Sequence, residues 1–151
     1  MTFITKDNGD RATFSGGMVR DTEDGKRRWD LIPDYVFFEA VRNGKYGMVI
    51  DTYLNYKRGE YEIAYVRTLI DLVIAAEGCT VVEYWSRVAE LMERGAIKYG
   101  EENWLNGKGE DALARYKKSL NRHMKQWLMG DLEEDHAAAI AFNINGIIYT
   151  Q

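Results

Sequence analysis

At 151 residues, with 46% hydrophobic and 29% charged side chains, the chain has the size and composition of one globular domain able to bury a core. Its net charge of −4 gives no general electrostatic basis for holding a nucleic-acid polymer, so a compact polyanion would need a local basic cluster or a metal ion. The single cysteine, Cys79, excludes an internal disulfide framework and suits a reducing cytoplasm; no apolar run reaches the ~20 residues of a membrane span, and the N-terminus lacks a signal peptide's apolar core.

One proline and scarce β-branched alternation favour helices. Residues 1–32 have no helical period and read as an extended arm, with turn chemistry at Ser15-Gly16-Gly17 and Asp24-Gly25. Lys26-Arg27-Arg28 beside Trp29 and Asp30 stand out in an acidic chain. On an extended backbone Lys26 and Arg28 share a side and could grip phosphate. A solvated arm pinned by Trp29 and Leu31 accounts for the segment as well.

Pro33 suits the first turn of a helix to about Arg42 that buries Val36, Phe37, Ala40 and Val41. Residues 45–60 read as a further short helix, with a strand pair as the alternative. From Glu60 to Glu77, Ile63, Val66, Leu69, Ile70, Val73 and Ile74 repeat at helical spacing. Gly78 ends that run, and Thr80 with Glu83 forms a capping-box pattern for the next helix. Its apolar side is read as Trp85, Val88, Ala89, Met92 and Ala96, with Glu93 on the flank and partly buried.

Glu90 and Glu93 lie three residues apart and so within reach of one shared cation. Lys98 follows about a turn later, and Trp104 closes the polar loop beyond Gly100. Two carboxylates, a cation and an aromatic suit a magnesium–nucleotide site; a solvated helix face is the plain alternative.

Asp111 to about Met129 forms a helix whose inward stripe is Leu113, Tyr116, Leu120, His123 and Trp127, with Arg122 beside it. His123 is open to reading as a hydrogen-bonded core residue. A last helix is expected from about Leu132 to Tyr149, with Glu133, Glu134 and Asp135 in its first turn, where anions offset the helix dipole. Ile140, Ile144, Ile147 and Ile148 supply core. His136 and Asn143, seven apart, share one face, and with Asp135 they form the second candidate half of a site. No Walker loop, zinc spacing or nucleophile elbow is present.

Four blocks in order, "SGGMVRDTEDGKRRWDLIP", "ERGAIKYGEENW", "SLNRHMKQWLMG" and "EEDHAAAIAFNI", resemble the phage and bacterial dATP/dGTP diphosphohydrolase family, itself similar to the all-α MazG-type pyrophosphatases. The resemblance implies an all-α MazG-like helical bundle with an extended N-terminal arm, a single domain over residues 1–151 in which 34–89 are a helical insert. It implies hydrolysis of a purine deoxynucleoside triphosphate to the monophosphate and pyrophosphate, with Mg²⁺ or Mn²⁺ on helix-borne carboxylates. Glu90 and Glu93 match the first half of the family's acidic pattern. Glu134 and Asp135 match the second half in part, because Ala137 and Ala138 stand where its last carboxylate would be, so His136 or Asn143 is expected to complete the metal shell. Glu90, Glu93, Lys98 and Asp135 are then the expected catalytic group. Lys26, Arg28 and Lys98 would meet phosphate, Trp104 or Trp29 would stack on the base, and Asp30, Asn103, Arg122 and His123 are further expected substrate-binding residues. The resemblance also implies a cytoplasmic homodimer or homotetramer. Two other classes stay open: a non-enzymatic phage accessory binding protein, and a histidine-metal triphosphohydrolase.

Overall fold

The computed structural model describes residues 3–4 and 7–151. Two short antiparallel strands, β1 (Arg11–Thr13) and β2 (Val19–Asp21), pair with Arg11 opposite Asp21 around the Ser15-Gly16-Gly17 turn. A 3-10 turn at Trp29–Leu31 leads into α1 (Asp34–Val41), α2 (Gly47–Arg58), α3 (Val66–Glu77), α4 (Val81–Tyr99), α5 (Glu110–Leu128) and α6 (His136–Thr150). The fold is all-α apart from that hairpin, as the sequence indicated.

The long antiparallel pair α5–α6 is the centre of the molecule, with α4 and α3 against α6 and α1 against α5. One continuous core runs from Phe38 and Tyr53 through Leu69 and Tyr84 to Leu120 and Ile140. Residues 34–89 contribute much of this core. Gly146 lets α6 come unusually close to α5: a Cβ there would lie 2.3 Å from the Tyr116 ring. Buried Lys125 on α5 donates to the carbonyls of Trp29 (3.1 Å) and Ile32 (2.7 Å) and pairs with Asp34, tying the 3-10 turn down. The hairpin docks through Asn103, which donates to the Val19 carbonyl and accepts from its N–H, and through Asp111, which accepts from Ser15.

Arg87 ties three helices together. Its guanidinium meets both oxygens of Asp135 at 2.9 and 2.7 Å and Glu77 at 2.6 Å. Asp135 is also the N-cap of α6, accepting from Ala138 N–H.

Several expectations are corrected here. α1 turns Phe37 and Phe38 toward the core and leaves Val36 and Ala40 exposed, because the helix presents its phenylalanine edge to α5. Ile63 lies in a 3-10 turn ahead of α3 and is exposed. The Thr80–Glu83 capping box forms and Val88 is buried, both as read, but α4 also buries Tyr84, and Trp85 and Ala89 face outward. Glu93 is therefore exposed rather than partly buried, since it shares the outer face with Ala89 and Glu90. α6 starts at His136, so Glu133 and Glu134 precede the helix instead of filling its first turn. Ile148 sits on its exposed side.

The Tyr116–Gly146 contact makes a stability prediction. Alanine at 146 gains about 1 kcal/mol of helix propensity, against about 1–3 kcal/mol for overpacking a filled interface. A ring at 2.3 Å puts the site at the costly end, so Gly146→Ala is expected to lower the urea midpoint by the equivalent of ~1–2 kcal/mol with an unchanged slope. An unchanged midpoint would contradict the close approach.

Candidate functional site

A cavity of about 180 Å³ opens between β2, the C-terminal half of α4, the loop after it, the middle of α5 and the first half of α6. Its lining includes the apolar side chains of Met18, Leu91, Met92, Trp104 and Phe142. It also carries the cations Arg20, Lys26, Arg94, Lys98 and Arg122 and the acids Asp21, Glu101, Glu134 and Asp135.

Those charges are not equally available. Asp21 is already neutralised by Lys98 (2.9 Å) and Arg11 (2.7 Å), with Tyr99 donating to it at 2.8 Å. Burial alone would raise its carboxyl, but the bonds from Lys98 and Tyr99 outweigh that and hold it below the usual range. Asp135 is held by Arg87. Arg20, by contrast, has a buried Nη1 with no hydrogen-bond partner among the described residues, its guanidinium lying over the Tyr116 and Phe142 rings. Burial and the nearby Arg115 push it down to about 10. Lys26 falls to about 8, chiefly by burial and then by the repulsion of Arg122, Arg115 and Arg20. Burial also lowers Arg122. Cations crowded together away from water favour an arriving anion, because that anion replaces the missing solvation.

Beside these cations runs a hydrogen-bonded chain of side chains. Arg122 Nη2 is 3.2 Å from His123 Nε2, His123 Nδ1 is 2.8 Å from His136 Nδ1, and His136 Nε2 is 2.6 Å from Asp131. A guanidinium can only donate, so His123 accepts at Nε2 and carries its proton on Nδ1. His123 then donates to His136, which keeps its own proton on Nε2 and gives it to Asp131. Burial, then Arg122 and His136, hold His123 well below the ordinary histidine range. Donor atoms of His123, Glu134 and His136 lie within 4.8 Å of one another, a spacing that could hold a metal ion.

Of the residues singled out from sequence, Lys26, Lys98, Asn103, Trp104, Arg122, His123, Glu134, Asp135 and Asn143 all line this cavity, and His136 backs it through His123. Lys98 is engaged with Asp21 and Asn103 with the Val19 backbone. Asp135 spends its carboxylate on Arg87 and the α6 cap, which makes it a positioning residue in place of a free catalytic or metal-binding one. Glu90 and Glu93 are exposed on α4 and do not line the cavity. Arg28 and Asp30 pair with each other at a shallow basic recess alongside. Trp29 lies outside the cavity lining and anchors the arm through its carbonyl to Lys125. Sequence reasoning passed over Arg20, Arg94, Asp131 and Phe142. For Arg20 no sequence signal marked it out from the other cations of the N-terminal segment.

Residues 67–150, more than half the chain, match the family model described as dATP/dGTP diphosphohydrolase, N-terminal. The match covers α4, α5 and α6 with the histidines, and leaves Arg20 and Lys26 outside it. No curated protein and no solved structure matches the chain. The family's name indicates a diphosphohydrolase acting on dATP or dGTP, an activity that a cationic, aromatic-walled cavity suits. The chain belongs to the dATP/dGTP diphosphohydrolase N-terminal family.

Proposed function

We propose that this protein hydrolyses purine deoxynucleoside triphosphates between the α- and β-phosphates. Water attacks one of the two phosphorus atoms, the bridging P–O bond breaks, and the monophosphate and pyrophosphate leave. The observation that carries the reading is the buried Arg20 Nη1, without a hydrogen-bond partner among the described residues, in a cavity shared with Lys26, Arg122 and apolar side chains. A triphosphate carries about four negative charges, and its transfer depends on positioning and charge neutralisation more than on a protein nucleophile. Arg20, Lys26 and Arg122 supply that neutralisation without having to be stripped of water first. Trp104, held edge-on by Tyr149 at 5.2 Å, offers a surface for a base.

The family's chemistry implies a divalent ion, and the residues present fit one in part. Glu90, Glu93 and Asp135 do not converge in a single chain, whereas His123, Glu134 and His136 do. Those three would hold the ion, which when bound lowers the pKa of a coordinated water and takes phosphate charge. Glu90 and Glu93 could serve a second ion only if brought to a cavity by another copy of the chain; the exposed Val82, Trp85 and Ile97 on α4 give such a homodimer an apolar surface to bury.

Each deoxy- and ribonucleoside triphosphate, incubated with the protein and Mg²⁺ or Mn²⁺ and resolved by ion exchange, should give monophosphate and pyrophosphate from dGTP or dATP. Nucleoside plus triphosphate would point to the histidine-metal triphosphohydrolase class instead. Absence of turnover with every base and both metals would favour a binding protein.

Lys26 sets an alkaline limit. Its pKa of about 8 in the free protein means that it loses its charge, and its grip on phosphate, as pH rises through that value. The facing guanidinium groups of Arg20, Arg115 and Arg122 keep theirs. The profile of kcat/KM, which reports the free enzyme, should therefore fall above about pH 8, and Lys26→Arg should move that limb upward. A Lys26→Arg profile superimposable on the wild type would exclude the lysine from phosphate binding.

A further inference from the structure

The histidine pair has a property that the cavity alone does not explain. Imidazole nitrogens with one carboxylate suit manganese, zinc or cobalt better than magnesium, which prefers oxygen. The surroundings match such a site. Asp131 receives the Nε2 proton of His136 at 2.6 Å, the usual way in which a carboxylate fixes a ligand imidazole with Nδ1 toward the metal. Two turns further along α6, Asn143 is 1% exposed and its Oδ1 has no hydrogen-bond partner among the described residues. It lines the same cavity as His123 and Glu134 and offers a further oxygen.

The obstacle is the present hydrogen bonding. Both Nδ1 atoms face each other at 2.8 Å with one proton between them. A metal needs both lone pairs, so the His123 proton must move to Nε2. That nitrogen faces the Arg122 guanidinium at 3.2 Å, and two donors cannot share the contact. Arg122 therefore has to leave before His123 can become a ligand. Among the described residues its other side-chain bond in this position is to Gln126, at 2.9 Å, and a phosphate in the cavity is a stronger partner than either.

We propose that His123, Glu134 and His136 form a binding site for a first-row transition ion of the manganese or zinc type, opened when a triphosphate draws Arg122 away from His123. Ion and triphosphate then bind cooperatively, and each raises the affinity for the other by the same factor. The electrostatics act in the same direction: Arg20, Lys26 and Arg122 repel a lone cation and cease to do so once an anion lies among them. The ligand set stands on the geometry; the coupling rests on the triphosphate reading above.

The test uses the full chain labelled with ¹⁵N-histidine, titrated with Mn²⁺ with and without the non-hydrolysable α,β-methylene analogue of dGTP, and read by electron paramagnetic resonance. The expected result is an Mn²⁺ signal coupled to the labelled histidine nitrogens, with affinity raised on the order of tenfold or more by the analogue. Glu134→Gln, at a half-buried position outside the core, should weaken Mn²⁺ binding while circular dichroism stays unchanged. Mn²⁺-dependent turnover with no histidine coupling would overturn this site and leave the hydrolase reading intact. Histidine coupling with no effect of the analogue would overturn the Arg122 switch. Neither binding nor turnover would overturn both.

Discussion

The close approach of α5 and α6 is the constraint on which the rest of the molecule depends. Gly146 has no side chain, so the Tyr116 ring rests against the α6 backbone and the two helices pack along their length. Because the helices are antiparallel, the same contact sets His123, two turns beyond Tyr116, against His136 at the opposite end of α6. The histidine pair is thus a consequence of helix packing. Arg87 fixes the third helix by holding Asp135 and Glu77 together, so α4 reaches the cavity at a defined angle.

The second organising feature is an imbalance of charge. A chain with a net charge of −4 still gathers Arg20, Lys26 and Arg122 in one half-buried place, while two of the four acids lining the same cavity are committed to other cations. Asp21 serves Lys98 and Arg11; Asp135 serves Arg87. Burying cations without matching anions costs folding energy, since each loses water without gaining a partner. Such a cost is understandable where a polyanionic ligand supplies the missing partner, which is the physical sense in which this site is built for phosphate.

Much of the fold was legible because it depends on local signals. The Thr80 capping box, the Gly78 stop and the 3.6-residue stripe of α3 are short-range patterns, and the structure contains all three. Faces were harder to read. On α4 the stripe Trp85, Val88, Ala89, Met92 and Ala96 is as regular as a core stripe, yet of these only Val88 is buried, with Tyr84 beside it; periodicity gives a direction and not the identity of what lies opposite. The same limit governed the site. Lys26, Lys98, Trp104, Arg122, His123 and Glu134 were recognisable by chemical type and do converge, whereas the alignment of Glu90 and Glu93 on one helix face said nothing about which way that face turns. Arg20 escaped notice because only the pairing of β2 against the helices makes it buried.

The central claim is that a nucleoside triphosphate lies in this cavity with its phosphates against Arg20, Lys26 and Arg122. A crystal structure with the α,β-methylene analogue of dGTP tests it directly. The account requires phosphate oxygens within hydrogen-bond distance of Arg20 Nη1 and of Lys26, with Arg122 turned away from His123. Phosphates found on the exposed α4 face at Glu90 and Glu93, with Arg20 still unpartnered, would contradict it.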